Sequence, residues 1–136
     1  MRRLLTLGLS VSVAAFTAAC GGDLTDLETN PSITVTETFQ STLNPGGGTT
    51  HVFVVSGQGT IQATLTALGD DNTRVVGLAL GNWNTNACQL AVANDNAFVS
   101  QALVATVSAA GNICVRVYDS KGVPDATSYT LEVIHP

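Results

Sequence analysis

From Ile33 onward, apolar and polar residues alternate with period two over short segments, and no window carries a sustained helical period. The cleanest stretch is 60–68, where Ile61, Ala63, Leu65 and Ala67 share one face and Gln62, Thr64 and Thr66 the other. Ile113, Val115 and Val117 alternate in the same way with Cys114, Arg116 and Tyr118. Tyr129, Leu131 and Val133 do so with Thr130, Glu132 and Ile134. Further segments are 33–43, with Val35 and Phe39 among threonines, the β-branched and aromatic run 51–55, and the apolar run 101–107. Val76, Leu78 and Leu80 stand opposite the small Gly77 and Ala79, and Cys88, Leu90 and Val92 follow. Between the segments come NPGGG (44–48), SGQG (56–59), GDDN (69–72), a loop holding Asn82, Trp83 and Asn84, NDN (94–96) and SAAG (108–111). Gly, Pro, Asn and Asp are the residues that turns require, so each break reads as a turn. Strands with one apolar face each need a second sheet to cover that face. The pattern predicts an all-β, antiparallel two-sheet sandwich, jelly-roll-like, of about eight strands.

The first 32 residues do not follow this pattern. Arg2 and Arg3 precede a charge-free run over 4–19, and Ala18 and Ala19 stand directly before Cys20. A positive start, an apolar run and small residues make the layout of an export signal, expected as a helical segment. The run is poor in large apolar residues for a membrane span, which needs about 20. The end of the run resembles a bacterial lipobox, in which the cysteine sulfur receives a diacylglycerol and the chain is cut before it. Thr17 stands where that pattern usually has Leu. The alternative is an ordinary signal peptide with an incidental cysteine. The resemblance implies a signal peptide over 1–19, lipid on Cys20, a polar and acidic tether over 20–32 and a sandwich domain over 33–136. Gly21, rather than Asp, follows the cysteine. In Gram-negative bacteria that implies an outer-membrane address within the cell envelope.

Composition narrows the function. Beyond the signal stand Arg74, Arg116 and Lys121 against ten acidic residues, a formal net charge of −7. Nothing basic remains to hold nucleic acid, so none is expected as a partner. With Cys20 lipidated, Cys88 and Cys114 remain as a pair in an oxidising compartment. A disulfide between them closes a loop of about 25 residues, worth roughly 3 kcal/mol; two buried thiols are the alternative. A metal site is not expected, because no His or third Cys sits at ligand spacing.

Several segments follow a known order: FQSTL over 39–43, the Gly-rich turn, VFVV over 52–55, the strand over 76–80, AAGNICVRVY over 109–118 and YTLEV over 129–133. This order resembles the bacterial pre-peptidase C-terminal domain, a jelly-roll-like sandwich appended to secreted proteases. Gly111, the Val115-Arg116-Val117 strand and Tyr129, Leu131 and Val133 carry the match, while Ile113 replaces the family's usual aromatic. The resemblance implies a non-catalytic accessory domain that aids secretion or binds extracellular polymer.

Candidate chemistry is sparse. Nucleophilic catalysis needs a base and an orienting group. The only histidines are His51, which shares strand parity with Phe53, and His135, next to the last residue, where ends fray. No catalytic residue and no cofactor are expected. Asp70, Asp71 and Asp95 sit among turn residues, where turn formation is the ordinary role and calcium ligation the other. Trp83 is expected either to fill the space between sheets or to stack on a sugar ring. Two functions follow. One is a non-enzymatic, lipid-anchored accessory, scaffold or adhesion protein; the other is a glycan- or calcium-dependent binding module using Trp83 and the acidic turns. The partners expected are the membrane through Cys20 and an extracellular polymer, a glycan or an envelope protein.

Overall fold

Every alternating segment becomes a strand because one face must leave water. In a computed structural model that describes residues 33–136, the strands are β1 (Val35–Leu43), β2 (Gly48–Val55), β3 (Gly59–Leu68), β4 (Val76–Trp83), β5 (Cys88–Ala97), β6 (Ala102–Val107), β7 (Gly111–Tyr118) and β8 (Thr127–His135). The signal segment, Cys20 and the tether expected over 1–32 lie outside the described residues. The strands form two four-stranded antiparallel sheets, β1-β8-β3-β6 (sheet A) and β2-β7-β4-β5 (sheet B). The first strand pairs with the last, β2 with β7, β3 with β6 and β4 with β5, so the chain is rolled up as one long folded ribbon. That is the jelly-roll order. Among the described residues, only β4–β5 is a hairpin within one sheet; each other connection crosses between sheets.

The inward faces meet in one core. Ile61, Ala63 and Leu65 of β3 and Leu131 and Val133 of β8 pack across from Val76, Leu78 and Leu80 of β4 and Val115 and Val117 of β7. One expected inward residue is displaced. β3 carries a bulge at Thr66, between the Leu65↔Leu131 and Ala67↔Thr130 pairs. The extra residue shifts the parity, so Leu68 is fully buried and Ala67 is not. The Leu65 carbonyl at the bulge accepts a hydrogen bond from the Ser100 amide at 2.8 Å.

Connections group at two ends. One end gathers the β1–β2 turn, the β3–β4 loop, the β5–β6 turn and the β7–β8 loop. These are tied to each other and to neighbouring strands by Asp119 N–H to Gly47 O at 2.9 Å and Gly69 N–H to Ser128 O at 2.6 Å. The other end gathers the β2–β3, β4–β5 and β6–β7 connections with the start of β1 and the end of β8, and there the Ser56 amide donates to the Pro136 carbonyl at 3.1 Å.

Two sequence expectations change. Asn94, Asp95 and Asn96, expected as a turn, continue β5 through to Ala97. The Asn94 side chain folds back onto the Asn96 amide at 2.9 Å and reaches Gln101 at 3.1 Å, satisfying locally what a turn would otherwise satisfy. Buried Ala97, opposite Val76, then holds the strand end against the core. Trp83 and Asn82, expected in a loop, end β4 instead, and the reversal falls on 84–87. Asn84 makes it: its side-chain oxygen accepts from the Asn86 and Ala87 amides at 3.2 and 2.9 Å.

Candidate functional site

The outer face of sheet B gathers most of the polar and reactive side chains singled out above. Gly77, Ala79, Gly81 and Trp83 share that face on β4, because Val76, Leu78 and Leu80 point inward. The register sets Tyr118 beside Gly77, Arg116 beside Ala79 and Cys114 beside Gly81. The small residues of β4 are buried although they face outward. The Tyr118 ring covers Gly77, and the β5 backbone at Gln89 and Leu90 covers Gly81.

At one end of this spine, the Tyr118 ring lies over Gly77 so closely that a Cβ there would overlap it. The Tyr118 hydroxyl thereby crosses β4 and donates to the Asp95 carboxylate on β5. That hydrogen bond, with burial second, pushes the Tyr118 hydroxyl pKa up to about 12, since a phenolate would lose the donor and face a carboxylate. Ser120 Oγ adds a bond to the Asp95 carbonyl at 2.7 Å. Arg116 leans the other way, over Gly48, and donates to Thr50 Oγ1 at 3.3 Å.

At the other end, Cys88 of β5 and Cys114 of β7 are joined as a disulfide, with Cα atoms 5.7 Å apart. Trp83 is paired with Cys88 and half-buried. Its side chain therefore shares the outer face with the disulfide rather than filling the space between the sheets.

The acidic residues proposed alongside Trp83 are elsewhere. Asp70 and Asp71 precede β4, while Trp83 ends it, and eight strand residues at about 3.3 Å each separate them by more than 20 Å. Asp71 Oδ1 accepts from the Thr73 hydroxyl at 2.6 Å and its amide at 2.9 Å, which hold its carboxyl below the usual range. Asp70 borders a cavity of about 90 Å³ with Arg74, Asp125 and Thr127, where Arg74 bonds Asp125 at 2.9 Å and Thr127 at 2.7 Å. Asp95 is engaged by Tyr118. These carboxylates thus serve separate local structures, and Trp83 joins none of them. Among the described residues, no group of three or more His, Cys, Asp or Glu is arranged to hold a metal ion.

Two features escaped the sequence reading. Asp119 clasps two connections: Oδ2 accepts from Gly46 N–H at 2.7 Å, and Oδ1 from Gly122 N–H at 2.6 Å and Val123 N–H at 2.9 Å. These bonds, Gly46 foremost, lower its pKa. Both histidines join a chain of rings in the seam between edge strands β1 and β2. Phe39 stacks on His51 at 4.7 Å, Phe53 lies 6.4 Å from Phe39, and His135 lies 4.9 Å from Phe53. His51 Nε2 and the Tyr129 hydroxyl share a 2.7 Å hydrogen bond, and burial lowers the His51 pKa. His135, expected to fray, is instead 2% exposed, because β8 pairs with β1 to its end and Glu37 meets Nε2 at 3.1 Å. The inward parity of His51 was the one signal of this array in the sequence.

A comparison with known protein families and with curated protein sequences finds no match for this chain.

Proposed function

We propose that this chain is a non-enzymatic lipoprotein of a bacterial cell envelope, a jelly-roll domain held at a membrane surface by lipid on Cys20 and serving as an accessory, scaffold or adhesion-type component. The observation that carries the reading concerns the three cysteines. Cys88 and Cys114 are joined to each other, which suits an oxidising compartment outside the cytoplasm. The remaining one, Cys20, stands after two alanines at the end of a charge-free run, where lipidation takes place in exported chains. Two or three acyl chains on one cysteine make a lasting anchor, since each buried methylene contributes about 0.8 kcal/mol and a single chain is marginal.

The accessory role draws on the resemblance to the pre-peptidase C-terminal domain, whose jelly-roll plan this strand order suits. A non-catalytic reading also suits the two histidines, which are spent on ring contacts and on hydrogen bonds, His51 with Tyr129 and His135 with Glu37 and the Pro136 carbonyl. Binding of a glycan or calcium by Trp83 together with the acidic turns is the weaker reading, because Trp83 and the Asp70–Asp71 loop lie at opposite ends of β4.

The test is the cellular fate of Cys20→Ala. The wild-type chain is expected in the membrane fraction and to incorporate labelled fatty acid. The variant is expected to lose the label and leave the membrane pellet. Equal labelling or equal sedimentation of the two contradicts the proposal.

A further inference from the structure

The outer face of sheet B is graded from one end to the other. Its outermost row runs Val54, Asn112, Trp83, Cys88 across β2, β7, β4 and β5: Val54 pairs with Asn112, Trp83 with Cys88, and Asn82↔Ile113 sets β4 beside β7. The second row runs Val52, Cys114, Gly81, Leu90. Neither row holds a charged side chain, and the disulfide ties them together. Val54, Val52 and Leu90 are 63%, 40% and 50% exposed, so these two rows leave apolar side chains in water. Charge begins only in the third row with Arg116, and the fourth carries Tyr118 and Asp95.

The loops repeat the gradient. The connections beside the apolar rows, SGQ (56–58), NTNA (84–87) and SAA (108–110), contain no charged residue. The opposite end holds Asp70, Asp71, Arg74, Asp119, Lys121 and Asp125. The chain also enters the domain at this end, where Ile33, immediately before β1, is 80% exposed, and where the Glu37 carboxylate, on the other sheet, is engaged by His135.

We propose that this neutral corner, formed by Trp83, Val54, Val52, Leu90 and Ile33, rests on the phospholipid headgroup layer of the membrane to which Cys20 tethers the chain. The inference rests on the lipid-anchor reading above and adds an orientation and a contact surface to it. Thirteen residues, 20–32, precede Ile33, and even fully extended they span at most about 45 Å. A short tether keeps the corner at high effective concentration beside the bilayer, so that a few apolar side chains suffice. Tryptophan favours the membrane–water interface, where its ring is buried and its N–H stays wet. The charged end would lose hydration there, which turns it away from the surface. Because no ion pair takes part, the contact is insensitive to salt.

Trp83 is the only tryptophan of the chain and therefore its own reporter. The experiment places the lipidated full chain in phosphatidylcholine vesicles, with and without brominated acyl chains that quench nearby indoles. Flotation is measured on the same samples. The expected result is co-flotation with about twofold or greater quenching of Trp83, unchanged between low and high salt. Phe98, 47% exposed at the charged end, supplies the control: Phe98→Trp in a Trp83→Phe background is expected to float without quenching. Val54→Glu with Leu90→Glu, both at exposed positions, is expected to float while Trp83 loses its quenching.

Flotation with Trp83 unquenched, or equal quenching at both ends, overturns the orientation and leaves the anchor standing. Failure to float, with no lipid on Cys20, removes the anchor itself. Burial of Trp83 that grows with protein concentration in the absence of vesicles assigns the corner to a second copy of the chain and overturns the proposal.

Discussion

The Cα atoms of Cys88 and Cys114 stand 5.7 Å apart although β4 runs between their strands. Two strand spacings in a flat sheet amount to roughly 10 Å, so β5 has folded over β4 to bring the cysteines together. Gly81 makes the crossing possible. It pairs with Cys114 on one side and Leu90 on the other, at the point where the β4–β5 register slips. A Cβ on it would collide with the Gln89 carbonyl and press on the Leu90 Cα at 2.8 Å. Both obstacles are backbone, so neither can swing aside.

Gly81→Ala is therefore expected to lower stability by about 2 kcal/mol, the scale of overpacking in a closed site. Gly111→Ala, with nothing within 4 Å of its added carbon, is the matched control and is expected to shift stability by less than about 0.5 kcal/mol. Urea unfolding of the two variants checks the contrast. Equal midpoints would show that β5 does not press on Gly81.

Reduction of the disulfide removes a crosslink between residues 26 apart in sequence. A loop of that size is worth roughly 3 kcal/mol through the unfolded chain, and the same loss is expected for Cys88→Ala with Cys114→Ala. The midpoint of denaturation with and without reductant measures it. Coincident curves would mean that the crosslink does not constrain the fold.

Tyr118 is expected to resist ionisation. Its hydroxyl, held by Asp95, titrates at about 12 rather than 10.0, and burial raises Tyr129 as well. Raising the pH to about 10.5 should leave Tyr118 of the folded chain almost wholly un-ionised. Asp95→Asn weakens the grip on the proton, so one tyrosine is expected to titrate closer to 10.0. An unchanged absorbance titration in the variant would separate Tyr118 from Asp95.

Acid is expected to act on the seam of rings. Burial lowers the His51 pKa below its ordinary 6.5, so the folded chain resists the proton that the unfolded chain accepts. The stability that follows is complete above 6.5 and is lost as the pH falls from there toward the folded pKa. His51→Gln should flatten that part of the profile. Thermal melts between pH 7.5 and 5, made on both proteins, test it, and parallel profiles would exclude His51 as the source.

The strands and the two-sheet fold were legible because alternation is a direct consequence of burying one face. What alternation cannot show is an inserted residue. The bulge at Thr66 exchanges Ala67 for Leu68 in the core, and nothing in the residue types announces it. Asn94, Asp95 and Asn96 have turn composition but stay in β5, since local side-chain bonds and the burial of Ala97 outweigh propensity. The pairing of Cys88 with Cys114 followed from counting, whereas the glycine that permits it did not, because Gly81 means something only once β5 lies across it. Trp83 could not be assigned a face until its place on β4 was known. The Asp119–Gly46 and His51–Tyr129 bonds join residues more than 70 positions apart, beyond the reach of any local pattern.

Mass spectrometry of the chain extracted from membranes decides whether Cys20 carries the lipid anchor. The expected mature chain begins at Cys20 and carries a diacylglycerol on the cysteine sulfur. An N-terminus at Met1 or at any other residue, or an unmodified Cys20, would contradict it.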